Sequence, residues 1–196
     1  FPTIEESGMT IDIGVDYDPA AAVAAGGTGS TQVSGLLGTG MGVAVQIGTD
    51  AGLNAYAGME QSERKEHGKA GDVGAGLADP FNMTGGVAYT IGAVTIGAQT
   101  WYNDQGDSTG VHYEADGLSI AFAVNEDLSL SYGMIDETKV ANNVGTSNVE
   151  AEMESFNVAY SMGSMAVKAQ HSTADNQDHA LLGTSSRSEI SLSLAF

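Results

Sequence analysis

The chain has 196 residues, 42% of them hydrophobic, with 25 acidic side chains against 6 basic and a formal net charge of −19. That length allows one domain or part of one, and the acidic excess excludes nucleic acid as a partner, because neutralising phosphates takes clustered Lys and Arg. With no cysteine there is neither a disulfide framework nor a thiolate metal site.

No stretch approaches the roughly 18 consecutive apolar residues of a spanning helix, so membrane helices are excluded. Glycine is abundant at 27 residues, and apolar positions recur with period two rather than 3.6. The chain therefore reads as all-β. Its start, Phe1-Pro2-Thr3-Ile4-Glu5-Glu6, has neither the basic opening nor the apolar core of a signal peptide, as expected of a mature or truncated secreted form. Phe1 to Gly8 reads as a connecting segment.

In chain order, alternation places strands at 9–18, 40–48, 52–61, 83–92, 94–103, 112–124, 128–137, 150–162, 165–172 and 187–196, about ten in all. Ile11, Ile13, Val15 and Tyr17 alternate with Asp12, Gly14 and Asp16; Val94, Ile96, Ala98, Thr100 and Tyr102 alternate with Thr95, Gly97, Gln99, Trp101 and Asn103. Each run is near the length that crosses a bilayer at a tilt. Short connections at 48–52, 92–93, 125–127 and 163–164 alternate with long polar ones at 19–39, 63–82, 104–112, 138–149 and 173–186. A transmembrane barrel keeps such a rule, with tight turns on one side and long loops on the other. A Greek-key sandwich mixes connection lengths.

One face of each strand is apolar, with nothing charged in mid-strand. Its aromatics gather at the ends: Tyr89, Phe122, Tyr160 and Phe196 toward the short turns, Tyr17 and Tyr102 toward the long loops. Two such belts are expected where a barrel meets two headgroup layers. The opposite phase predicts a lumen lined by Asp12, Asp16, Gln46, Asn54, Tyr56, Gln99, Trp101, Asn103, Lys168, Gln170, Arg187 and Glu189. Lys168 and Arg187 fall on neighbouring strands. They either form a basic cluster or neutralise nearby carboxylates one by one.

The hairpin Val87-Ala88-Tyr89-Thr90-Ile91-Gly92-Ala93-Val94-Thr95-Ile96-Gly97-Ala98 resembles the periplasmic hairpins of Gram-negative porins, particularly alphaproteobacterial ones. Val158 to Val167 and Phe122 to Gly133 repeat the pattern. The end Glu189-Ile190-Ser191-Leu192-Ser193-Leu194-Ala195-Phe196 is similar to the C-terminal assembly signal of outer-membrane proteins, closed by Phe196. The resemblance covers most of the chain from Gly40 onward. It implies a homotrimer of 16-stranded barrels in the cell outer membrane, surrounded by lipid and lipopolysaccharide. Residues 1–196 would be the C-terminal portion of one barrel, without the strands that precede the porins' narrowing loop, so none of that family's constriction residues is carried over.

The acidic groups Asp104, Asp107, Glu114 and Asp116, then Asp136 and Glu137, then Glu150, Glu152 and Glu154, then Asp175 and Asp178, read as parts of extracellular loops. Such oxygen-rich loops either bind Ca²⁺, with Asp104 and Asp107 as the candidate ligands, or are simply solvated. No other cofactor is expected. The four histidines, His67, His112, His171 and His179, have no paired metal spacing and read as surface residues in or beside long loops. Gly26-Gly27-Thr28-Gly29 and Gly38-Thr39-Gly40-Met41-Gly42 lack the Gly-Lys-Ser/Thr ending of a phosphate loop. No serine sits in a nucleophile-elbow setting, so the chain is not expected to be an enzyme. The function expected is passive diffusion of small hydrophilic solutes and ions through a watered pore, with cations preferred. The alternatives are a structural or adhesive barrel with a plugged lumen and a soluble secreted β protein.

Overall fold

Period-two alternation does become strands. The computed structural model describes residues 3–18, 37–64, 78–106, 110–141 and 148–194. Among them run eleven strands: β1 Thr3–Glu6, β2 Met9–Asp18, β3 Leu37–Thr49, β4 Leu53–Arg64, β5 Phe81–Ile91, β6 Val94–Asp104, β7 His112–Ala123, β8 Leu128–Val140, β9 Val149–Met162, β10 Met165–Asp175 and β11 Thr184–Leu194. They form a single sheet in sequence order, each strand antiparallel to the next. No helix among the described residues is long and apolar enough to cross a membrane.

Two expectations change. Thr3–Glu6, expected as a connecting segment, is β1, paired with Met9–Asp12 through a tight turn at Ser7-Gly8. Both turn residues have positive φ, 52° and 78°, as a two-residue hairpin twisted like its strands requires. The strands also run further toward the long connections than alternation suggests: β8 continues to Val140, β10 to Asp175, and β11 starts at Thr184. Backbone ladder bonds do not depend on side-chain polarity, so these polar strand tops stay paired. The short-long order survives, with the Ser7-Gly8 turn as a further short connection.

The register decides which residues share a face, because directly opposed residues point the same way. One row crosses the sheet as Thr3, Asp12, Gln46, Tyr56, Gly86, Gln99, Gly117, Ile135, Met153, Ala174 and Ser185. From Tyr56 to Ile135 large and small residues alternate within it. A Cβ on Gly86 would meet the Tyr56 ring at 2.6 Å, and one on Gly117 would meet Gln99 at 2.9 Å. The residues of this phase line a cavity of about 810 Å³ that reaches from Asn54 on β4 to Arg187 on β11. This is the concave face.

The other phase points outward and is apolar over most of the strands' length. Tyr17 is 60% exposed, Ile91 63% and Ile190 78%, while the only buried hydrophobics among the described residues are Ala115 and Ala151. A soluble barrel would hide this face inside, so that alternative does not describe this fold. An apolar surface continuous over most strands exceeds what a soluble monomer exposes. Tyr89, Phe122 and Tyr160 stand on it near the short turns, and Tyr17 and Tyr102 toward the long connections. Phe196 lies outside the described residues.

The turn at Asp50-Ala51-Gly52 fixes how β3, β4 and β5 meet. Gly52 has φ +91°, its carbonyl accepts the Thr90 N–H at 2.9 Å, and a Cβ there would collide with the Thr90 carbonyl oxygen. Both the backbone conformation and the space demand glycine. Gly52→Ala is expected to lower the urea midpoint of the folded protein in detergent by about 1–3 kcal/mol in stability. Gly92→Ala, whose Cβ would enter open space, should cost less; equal losses for the two variants would contradict the steric argument.

Candidate functional site

The concave face carries the candidate chemistry. The register puts Asp12, Asp16, Gln46, Asn54, Tyr56, Gln99, Trp101, Asn103, Lys168, Gln170, Arg187 and Glu189 on one face of the sheet, this one. Gly, Ala, Ser and Thr fill most of the remaining positions, together with Ile135 and Met153. Glu5, Glu60 and Lys139, not singled out from the sequence, share this face, and so does Glu137, expected in an extracellular loop. Their polarity at strand ends resembles that of loops, which conceals their orientation.

Of the two readings of Lys168 and Arg187, the basic cluster does not form. Lys168 is opposite Ser191, Gln170 opposite Glu189 and Ser172 opposite Arg187, so the two bases stand two inward positions apart with Glu189 between them in height. Arg187 Nη2 instead binds Glu189 Oε2 on its own strand at 2.6 Å. Asp12 is held similarly, accepting the Thr3 hydroxyl at 2.6 Å.

Toward the long connections the concavity widens into a second cavity of about 950 Å³, lined by Asp16, Glu60, Asn82, Trp101, Asn103, Tyr113 and Glu137 among others. Over its β7–β8 side folds part of the β10–β11 connection. His179, in the tight turn at Gln177–His179, reaches inward from it. Its ring lies 5.2 Å from that of Tyr113, and Nε2 stands 3.3 Å from Glu137 Oε1. The two side chains are 9% and 22% exposed. Nε2 has no aligned hydrogen bond, so the approach to Glu137 is a close contact and not a hydrogen bond. His179 was expected on the surface; proximity in space rather than spacing in sequence brings it inside.

That connection is internally braced. Asn176 Nδ2 donates to the Glu150 carbonyl at 2.9 Å, and its Oδ1 accepts the Leu182 N–H at 3.0 Å. Asn176, Asp178, His179 and Leu182 all have positive φ, a concentration of unfavourable backbone that only surrounding contacts sustain. His179→Ala, which removes a ring contact worth about 1 kcal/mol, should raise amide hydrogen exchange at 176–183 and leave β7 and β8 protected. Unchanged exchange in that segment would show that His179 does not hold it.

The other histidines and the acidic groups are also redistributed. His171 lies inside β10 on the outward face, 2.8 Å from the Ser188 hydroxyl, and His112 opens β7, 3.4 Å from Glu114. His67 and Asp107 lie outside the described residues. Asp104 Oδ1 accepts the Gly106 N–H at 2.8 Å, and among the described residues no group of three His, Asp or Glu is placed to hold a metal ion. Most of the carboxylates expected in loops sit in strands. Asp116, Asp136, Glu152 and Asp175 are directly opposed on β7 to β10, on the outward face, with Glu114, Glu150 and Glu154 in adjoining rows. The outward face is therefore charged within strands, contrary to expectation. Like charges directly opposed destabilise a sheet. Asp136→Asn, in the middle of the row, should raise the thermal midpoint by an amount worth about 0.2–1 kcal/mol at low salt, a gain that high salt removes. A lowered midpoint would mean that the carboxylate has an attractive partner.

An antiparallel meander with an exposed apolar belt, a polar concave face and short and long connections on opposite sides is the fold of outer-membrane β-barrel proteins. Solved structures agree. The chain is similar to OmpT, an outer membrane protein of Vibrio cholerae, folded in vitro, at 16% identity and TM-score 0.59 over 97% of this chain and 59% of that one. It is also similar to a loop L8 deletion mutant of that protein (15%, TM-score 0.56, 98% and 77%) and to its trimer form (14%, TM-score 0.51, 97% and 76%). The chain thus spans less than two thirds of the first of these structures. No family model matches it, and no curated protein does.

Proposed function

We propose that this chain forms part of the wall of a porin of the Gram-negative outer membrane, through which small hydrophilic solutes and ions diffuse passively, cations preferred. The observation that carries the reading is the concave face: polar or small at most positions, carboxylate-rich, and hollow over two cavities of about 950 and 810 Å³. Solutes cross such a lining while hydrated, and fixed charges bias which ions enter. No bond is made or broken, so the reading assigns no catalytic residue and no cofactor; Ca²⁺ at Asp104 and Asp107 is not part of it.

β11 pairs with β10 and with no other strand among the described residues. With an odd number of antiparallel strands, β1 and β11 run the same way. Backbone groups left unpaired in lipid cost several kcal/mol each, so on this reading further strands complete the wall. The 16-stranded, alphaproteobacterial-type porin suggested by the three hairpins, assembled as a homotrimer among lipid and lipopolysaccharide, fits that need. A trimer form is also known for the similar Vibrio cholerae protein.

Planar-bilayer recording tests the reading. Protein purified with the strands that complete the wall should give stepwise, ohmic conductance, and in a potassium chloride gradient the reversal potential should report cation preference at low ionic strength. The preference should fade as salt rises, because screening shortens the reach of the lining carboxylates to about 10 Å at 0.1 M. Absence of conductance would overturn the diffusion reading, and anion preference would overturn the charge assignment.

A further inference from the structure

The concavity is open across its width at one level and half filled at the next. On the inward row Gln99, Gly117, Ile135, Met153, Ala174 and Ser185 every residue lines the smaller cavity, so the hollow there extends from β6 to β11. The next row toward the long connections runs Trp101, Ala115, Glu137 and Ala151. The larger cavity stops at Glu137 on this row, and among the described residues none of β9, β10 or β11 lines it. Ala151 shows that the space beyond is occupied. It points inward, and the β9–β10 ladder ends one residue before it, at Glu152 and Asp175. Yet it is only 5% exposed, whereas an inward alanine facing open water would be bare.

The β10–β11 connection occupies that space, turning inward directly after Asp175. Asn176 Nδ2 binds the carbonyl of Glu150, the chain neighbour of Ala151. Three residues later His179 stands against Tyr113 on β7 and Glu137 on β8. Neighbouring strands are about 4.8 Å apart, so the segment reaches roughly 10 Å across the inward face, from β9 to β7. The positive φ of Asn176, Asp178, His179 and Leu182 is a conformation that a free loop would leave, and it is kept by these contacts.

We propose that residues 176–183 are a strap that sets the size limit of the pore, with Asn176 and His179 as its positioning residues. The proposal rests on the diffusion reading and deepens it, naming the element that decides which solutes are small enough to pass. The strap closes the side over β7 to β9 and leaves open the side over β2 to β6, where Asp16, Glu60 and Trp101 line the remaining space. Its effect is steric: it discriminates among hydrophilic solutes by width.

The test takes two readouts on the folded protein in detergent or bilayer, with the strands that complete the wall. The first is cover. The chain has no cysteine, so Ala151→Cys beneath the strap and Ser131→Cys on the wall of the smaller cavity each give a single thiol for a charged methanethiosulfonate reagent. With the strap in place Ala151→Cys should react at least about tenfold more slowly than Ser131→Cys, and replacing 177–182 by two glycines should bring the rates within about twofold. If Ala151→Cys does not fold, Ala115→Cys on the same row, 4% exposed in the native chain, takes its place. The second readout is passage. The strapless channel should conduct at least about 1.5-fold more, as current follows open cross-section, and should admit larger polyethylene glycols in polymer-exclusion recordings. His179→Ala should move both readouts the same way by less, while His179→Phe, which keeps a ring against Tyr113, should leave both near wild type. If the strapless variant does not fold, the labelling ratio and the two His179 variants decide. Equal labelling of the two thiols with the strap intact would overturn the proposal, as would an unchanged exclusion size when the strap is removed. Strap-dependent protection in a protein that does not conduct would keep the strap's position and overturn the diffusion reading, and with it the size limit.

Discussion

In an antiparallel ladder the face of a side chain is set by parity, and the eleven strands share one parity from Thr3 to Ser193. Slipping any strand by one residue would send its whole apolar set into the concavity and its polar set outward. The tight turns hold the register against this. Ser7-Gly8, Gly52, Gly92 and Gly163 supply the positive φ that lets consecutive strands reverse within two or three residues, so each strand's phase is inherited from the one before. The cavities and the outward belt both follow from that inheritance.

The same arrangement explains why the described residues have almost no buried apolar core. Burial of large hydrophobics inside the sheet contributes almost nothing, since the outward side chains remain exposed and the inward ones line hollow space. What remains is the backbone ladder and contact between the apolar belt and whatever surrounds it. In water that belt is a liability for aggregation; in lipid it is the stabilising term, and the ladder pairs the backbone groups of neighbouring strands with one another. Glycine and alanine on the concave face serve the second purpose of leaving room, as where the Tyr56 ring lies over Gly86.

Parity is what a sequence expresses well, and height along the strand is what it expresses poorly. Alternation locates every strand from β2 to β11 and assigns each proposed lumen residue to its face, because a period of two needs only local information. It does not reveal that Lys168 and Arg187 stand at different heights, since that depends on how the β9–β10 turn and the long β10–β11 connection set the offset between neighbours. β1 escapes notice because Thr3-Ile4-Glu5-Glu6 is too short to show alternation, and it exists only by pairing with β2. The upper parts of β7 to β10 look like loops because carboxylates crowd them, yet their backbones are paired as regularly as those of the apolar stretches. The inward place of His179 is a product of tertiary neighbourhood, with no counterpart in spacing.

These misread strand tops change how the field over the concave face is built. Glu137 points into the concavity while its chain neighbour Asp136 points outward, and Ala115, between Glu114 and Asp116, shows the same alternation with the charge on one side only. Inward and outward carboxylates are thus separated by no more than the thickness of one sheet. That distance is comparable with the screening length of roughly 8–10 Å at physiological salt, and the wall between them is poorly polarisable. The outward row of Asp116, Asp136, Glu152 and Asp175 therefore adds to the potential felt inside, although none of its members lines the lumen. Cation preference on the proposed reading is a property of the whole acidic rim, distributed over both faces.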